Sequence, residues 1–148
     1  MTTCTRRLAT DTGHRLINHE GKCRQVHGHT YYWDITCEGD LDNVGRVIDF
    51  SKIKEVVGGW LDENFDHGFI AQKGDTIIGY LKETGGKVYV TDFSPTAENL
   101  AEHVLSKARE LLGPFKIAVK SVRCHETANC SALADTEAAS WALARGPS

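Results

Sequence analysis

His27-Gly28-His29-Thr30-Tyr31-Tyr32-Trp33-Asp34-Ile35-Thr36-Cys37 decides how this chain is read. Aromatic and β-branched residues dominate the run from His29, which favours an extended backbone whose alternate side chains share one face. His27 and His29 then converge, whereas on a helix they would point roughly 200° apart. Upstream, Thr12-Gly13-His14-Arg15-Leu16 brings another imidazole and Lys22-Cys23-Arg24 a thiol, so three histidines and a cysteine fall within sixteen positions. A third nitrogen from His14 on a neighbouring strand gives three protein ligands and an open fourth position, the pattern of a catalytic zinc. With Cys23 as a fourth ligand the site would instead be closed and structural. Against closure, Cys23 sits four residues before His27 between Lys22 and Arg24, a setting that favours a thiolate suited to proton abstraction beside a Lewis acid. On spacing alone Cys23 stays undecided between ligand and catalyst.

Composition limits what surrounds this cluster. The 148 residues, 41% hydrophobic and 25% charged, are expected to make one compact domain spanning 1–148. A net charge of −3 without clustered Lys and Arg gives no support to a nucleic-acid or membrane-surface role, which points to a small-molecule partner. Five cysteines without regular spacing argue against a disulfide framework, and no C-x-x-C pair suggests a cysteine-rich zinc site. No apolar stretch approaches a signal core or a membrane span, so the expected home is a reducing cytoplasm.

Working outward, residues 3–14 and 29–38 read as two strands joined by a polar loop holding Asn18, His19, Glu20, Gly21 and Cys23. A helix follows Asp49, with Ile53, Val56, Val57, Trp60 and Leu61 at helical spacing. Gly58 and Gly59 weaken it by about 1 kcal/mol each, which implies a close backbone approach. A short helix near 75–83 and a short strand over 87–91 come next. A second long helix opens at Ser94-Pro95-Thr96-Ala97-Glu98-Asn99, with Thr96 as N-cap, Leu100, Val104, Ala108 and Leu111 as its buried stripe, and Gly113-Pro114 as its end. Phe115, Ile117 and Val119 begin a third long strand running toward His125-Glu126, residues 128–136 suit a fourth, and 142–148 read as a tail. The major elements run ββααββ.

Other polar groups carry less. His19 lacks a partner by spacing, and His103 falls on the expected solvated face of the second long helix. Cys4, Cys37, Cys124 and Cys130 read as small buried residues. Asp66-His67 pairs a carboxylate with an imidazole after the first helix, although neighbours in sequence need not touch. Glu126, at the end of an apolar strand, reads as a partly buried carboxylate that needs donors, and a heterocycle with an amino group and a ring N–H would supply two.

These motifs in combination resemble the 6-pyruvoyltetrahydropterin synthase and 6-carboxytetrahydropterin synthase family. The resemblance spans nearly the whole chain: G-H-R-L at 13–16, K-C-x-x-x-H-G-H at 22–29, V-I-D-F at 47–50, D-H at 66–67, P-T-A-E-N at 95–99 and H-E-T at 125–127. It implies an α+β tunnelling fold, a four-stranded antiparallel sheet with two helices on one face, assembled as a trimeric barrel and stacked into a homohexamer. It also implies that His14, His27 and His29 bind Zn²⁺ and that Cys23 accepts the proton. Asp66 and His67 become a proton relay, Glu126 anchors the pterin and is often counted in the relay, and Thr96 and Glu98 line the pterin pocket. Family sites form between subunits, so Asp66 and His67 are expected to complete a neighbour's site. Three residues between Cys23 and His27, and Asn129-Cys130 soon after Glu126-Thr127, resemble the bacterial carboxy-forming branch. That branch converts 7,8-dihydroneopterin triphosphate to 6-carboxy-5,6,7,8-tetrahydropterin, acetaldehyde and triphosphate, on the way to queuosine. The chain departs from the family pattern at Thr10, where an aromatic residue is frequent, and at Gly13, where Ala is.

Overall fold

A computed structural model describes residues 1–135. Thr136 and the 142–148 tail expected from sequence lie outside the described residues. The frame is a long antiparallel pair, β1 (Thr2–His14) and β2 (His27–Gly39). Leu8, Thr10, Thr12 and His14 of β1 and Tyr31, Trp33, Ile35 and Cys37 of β2 are buried at two-residue intervals, so one face of the pair carries the core. The register sets Leu8 opposite Trp33, Thr12 opposite His29 and His14 opposite His27. Because a slip of one residue would turn every side chain to the other face, burial of this apolar set also fixes where the histidines point.

Helices cover that face. Asp49 caps α1 (Phe50–Ile53) by accepting from the Ser51 amide, and the chain continues through a π-helical turn (Lys54–Gly58) into α2 (Gly59–Asn64). The turn brings Gly58 against Leu8, where a Cβ would stand 3.4 Å from the leucine side chain, while a Cβ on Gly59 would meet nothing within 4 Å. Only Gly58 makes the close approach that both glycines suggest. The last helix, α4 (Ala97–Leu112), starts at the Thr96 hydroxyl, which accepts from the Asn99 amide at 3.1 Å. It buries Leu100, Val104 and Ala108 as expected, together with Leu105 and Leu112, whereas Leu111 is only half-buried. His103 is not on a solvated face: its Nε2 lies 2.7 Å from the Tyr89 hydroxyl, and its ring packs beside Trp60, Tyr89 and Phe93.

The sheet is larger than the four antiparallel strands expected. Six strands run in the order β4-β3-β1-β2-β5-β6, and the sheet is mixed. β3 (Gly68–Gln72) lies parallel to the end of β1, pairing Gly68, Phe69 and Ile70 with Thr12, Gly13 and His14, and β4 (Val88–Thr91) lies parallel to β3. Between them is a third helix, α3 (Ile77–Glu83). On the other side β5 (Ala118–His125) and β6 (Ser131–Asp135) continue antiparallel from β2. Phe115 is not in β5; it stands exposed on a 3₁₀ turn with the Lys52 ammonium over its ring.

Both departures from the family pattern have a packing reason. A Cβ on Gly13 would stand 2.8 Å from Phe69, so the aromatic ring of β3 occupies the space that an alanine would use. Thr10 is buried and its hydroxyl accepts from the Trp33 indole at 3.0 Å and from Thr12 at 2.9 Å, so a core tryptophan that needs an acceptor finds one there.

One ion pair ties the end of β1 to the start of α3. Arg15, next to His14, donates through Nε to Asp75 Oδ2 at 2.8 Å and through Nη2 to Oδ1, and the Asp75 side chain is fully buried. Above all the Arg15 bonds hold the Asp75 carboxyl below its usual range, against the effect of burial. Replacing Arg15 by alanine strands a buried carboxylate and should cost about 3 kcal/mol in denaturant unfolding at neutral pH, the lower end for breaking a buried pair. A depressed folded-state pKa stabilises above the unfolded value of about 3.9 and ceases to do so as pH falls through the folded value, so the deficit should narrow below about pH 4.

Candidate active site

The β1–β2 register brings three imidazoles together. His14 is opposite His27, His29 follows on the same face, and the ring centroids lie 4.6 Å (His14–His27), 5.2 Å (His14–His29) and 4.9 Å (His27–His29) apart. His14 Nδ1 donates to the Pro95 carbonyl at 2.8 Å and His27 Nδ1 to the Gln25 carbonyl at 2.6 Å. A carbonyl only accepts, so each Nδ1 carries the proton and each Nε2 keeps its lone pair for a ligand role. Burial, and secondarily the neighbouring imidazoles, press His14 down to about 4, and burial lowers His29 as well, so both are neutral near pH 7.

The Nε2 atoms of His14 and His29 are buried without a hydrogen-bond partner. Unpaired buried nitrogens are costly as plain core atoms and are what a metal would satisfy. One donor atom from each of the three histidines lies within 4.8 Å of the others, and among the described residues this is the metal-capable group of His, Cys, Asp and Glu. An all-imidazole set is compatible with zinc. Cys23 is not part of the group.

Cys23 lies beside it. The Leu16 amide donates to the Cys23 carbonyl at 2.8 Å, folding the 3₁₀ turn Lys22–Arg24 back onto the end of β1. This places Cys23 in a 310 Å³ cavity with His14, Thr96, Glu98 and Glu126. Glu126 closes the cavity from the β5–β6 turn, where its amide donates to the Cys130 carbonyl at 3.0 Å, and its Oε1 lies 3.7 Å from His29 Nε2. His125, just before it, bonds Asp34 at 2.8 Å, and Arg7 grips the same carboxylate at 2.7 and 2.9 Å, anchoring the end of β5.

Two further titratable residues line this cavity that spacing did not single out. His19 does so with its Nδ1 accepting the Gly21 amide at 2.8 Å, which leaves the proton on Nε2. Cys130 is exposed there, not buried, because it falls in the β5–β6 turn. Cys37 and Cys124 are buried as expected, and burial pushes the Cys37 thiol up to about 12.

Asp66 and His67 do touch. His67 takes a left-handed backbone, φ 56°, and its Nδ1 lies 2.9 Å from Asp66 Oδ2. Burial acts upward on Asp66, but the bonds from the Asp11 amide and from His67 outweigh it and its pKa is lowered; His67 is raised, chiefly by its bond to Asp66. The ring opens on a separate 470 Å³ cavity lined by Asp11, His29 and Thr30, away from Cys23. Within the single chain, therefore, the structure does not bring the pair into the Cys23 cavity.

Known proteins resemble this chain in sequence and in fold. Residues 3–137 match the family model described as 6-pyruvoyl tetrahydropterin synthase. A Rickettsia bellii protein named 6-carboxy-5,6,7,8-tetrahydropterin synthase is 44% identical over 134 residues, 88% of this chain and 97% of its own. A Haemophilus influenzae protein of the same name is 30% identical over 83% of this chain and 91% of its own. Among solved structures, an uncharacterized protein from Wolinella succinogenes superposes with a TM-score of 0.79 at 22% identity, over 92% of this chain and 98% of that one. The Caenorhabditis elegans 6-pyruvoyl tetrahydropterin synthase does so at 0.69 and 24% identity, over 90% and 94%. Those structures share the fold, and the relatives and the family model together establish kinship: the chain belongs to the 6-pyruvoyl tetrahydropterin synthase family.

Proposed function

We propose that this protein is a zinc-dependent 6-carboxy-5,6,7,8-tetrahydropterin synthase. It converts 7,8-dihydroneopterin triphosphate and water to 6-carboxytetrahydropterin, acetaldehyde and triphosphate, in the cytoplasm, on the route to queuosine. The observation that carries the reading is identity of 41–44% to relatives bearing that name over 88% of the chain. The all-imidazole cluster with two orphaned nitrogens supports the metal.

His14, His27 and His29 would hold the zinc, which when bound would supply Lewis acidity toward the hydroxyls of the substrate side chain. Cys23, beside the cluster but outside it, accepts the proton from the side-chain carbon. The electrons pass into the dihydropterin ring, which is reprotonated. Glu126 receives the amino and ring N–H groups of the pterin, and Thr96 and Glu98 line the same cavity. A cavity of 310 Å³ is at the small end for ligand sites and suits a bicyclic ring. Asp66 and His67 relay the second proton. Their opening on a different cavity supports a site completed between subunits, in the trimeric barrel and homohexamer proposed for the family architecture.

Incubation with 7,8-dihydroneopterin triphosphate and mass analysis of the products tests the reading. Acetaldehyde and a 6-carboxypterin product are expected. A 6-pyruvoyl product with triphosphate release alone would move the protein to the other branch of the family.

A further inference from the structure

Asp11 stands where three hydrogen bonds meet around the Asp66–His67 pair. Its amide donates to Asp66 Oδ1 at 2.8 Å, and its carbonyl accepts from the His67 amide at 2.7 Å. On the Asp11 side those two bonds belong to the backbone, and any residue but proline at this position would make them. The side chain does something separate. Thr30, directly opposite on β2, donates its hydroxyl to Asp11 Oδ1 at 2.5 Å, and the oriented carboxylate lines the same 470 Å³ cavity as the His67 ring. The backbone bonds hold the pair in place, and the carboxylate adds a negative charge to the cavity that the imidazole faces.

The charges around His67 come from three directions. Asp66 bonds its Nδ1 from the adjacent position, Asp11 faces it from β1, and Lys87, just before β4, opposes both. The Lys87 ammonium is itself held by the carbonyls of Asp62 and Asp66, each at 2.6 Å. A ring that gains and returns a proton during turnover needs its charged form stabilised without being trapped, and a second carboxylate lining the same cavity does that more weakly than the bonded Asp66.

We propose that Asp11, oriented by Thr30, is a positioning residue of the reaction, a second counter-charge that tunes His67 for proton transfer. This rests on the reading of Asp66 and His67 as the relay. The chemistry it serves is proton delivery to or from the substrate, and Asp11 acts in it through His67.

The test is the titration of His67 followed by NMR in the intact protein, its resonance identified by its loss in His67→Ala. Asp11→Asn keeps both backbone bonds and the shape of the side chain but removes the charge. Its His67 midpoint should fall by about half a pH unit, the Coulombic scale for an exposed pair. Thr30→Val, which frees the carboxylate, should shift it in the same direction, and Asp11→Glu should restore it. The limb of kcat against pH should move with the midpoint, while KM and zinc content stay at wild-type values. An unchanged midpoint in Asp11→Asn, or a midpoint that Thr30→Val leaves in place, overturns the proposal. Because the NMR reading needs no turnover, its failure is distinct from failure of the relay reading, which full activity in His67→Ala would bring down.

Discussion

Cys23→Ala should keep its full complement of zinc and lose turnover by about 10²- to 10⁴-fold, the range for deleting a general base. The two outcomes separate because the structure separates the groups. The three histidines meet without the thiol, and Cys23 reaches the cavity on a 3₁₀ turn outside the sheet. Its anchor, the Leu16 amide on the Cys23 carbonyl, is a backbone bond that alanine retains. The side chain is half-buried on a turn with no buried residues, so folding stability should change by no more than about 0.5 kcal/mol. Metal analysis beside a kcat measurement makes the check. Loss of zinc in this variant would mean that the thiol is a fourth ligand and the site is closed, which would end the enzymatic reading of the cluster.

Much of the arrangement around Cys23 could be read from the chain, and what could not has definite causes. β1 and β2 are long and strongly patterned, so the strand pair and the shared face of His27 and His29 follow from two-residue alternation. α4 announces itself through Thr96 and its apolar stripe. β3 escapes because Gly68-Phe69-Ile70-Ala71-Gln72 is a short apolar run, buried through its middle three residues, with no alternation to mark it. Its parallel pairing with the end of β1 is a long-range contact, and that pairing turns a four-stranded antiparallel sheet into a six-stranded mixed one.

The site shows the same division. Ligand-type residues are visible as a spacing, but Cys130, His19 and Asp11 come to the two cavities through turns and cross-strand pairs that no local pattern encodes. The register does contain one missed signal. Once His14 is set opposite His27, Asp11 must fall opposite Thr30, so their hydrogen bond follows from the same pairing that gathers the histidines. His103 misleads for the opposite reason: its place on the helix is outside the apolar stripe, and the ring is covered by Trp60 of α2 and by Tyr89 and Phe93 from β4 and the segment after it.

The metal-binding reading of the cluster meets its sharpest test in His29→Ala, which should lose both zinc and turnover. His29 offers one of three nitrogens, and its Nε2 is buried with no hydrogen-bond partner. Removing it leaves two imidazoles, and loss of a Lewis acid that contributes several kcal/mol to the transition state corresponds to a fall in rate of about 10³-fold or more. Stability supplies an independent reading. A ligand that binds only the folded state stabilises it by RT ln(1 + [L]/Kd), about 4 kcal/mol at a thousandfold excess over Kd, so a chelator should lower the Tm of the wild type. The same chelator should leave the Tm of His29→Ala unchanged. If His29 were an ordinary strand histidine, the variant would instead respond to chelator and zinc as the wild type does, with only a packing loss common to both conditions. The metal-free comparison sharpens this further. Without zinc, the wild type must bury an unsatisfied Nε2 at a cost of about 1–3 kcal/mol that the alanine variant avoids, so the gap between the two proteins should be widest with metal and narrowest without it.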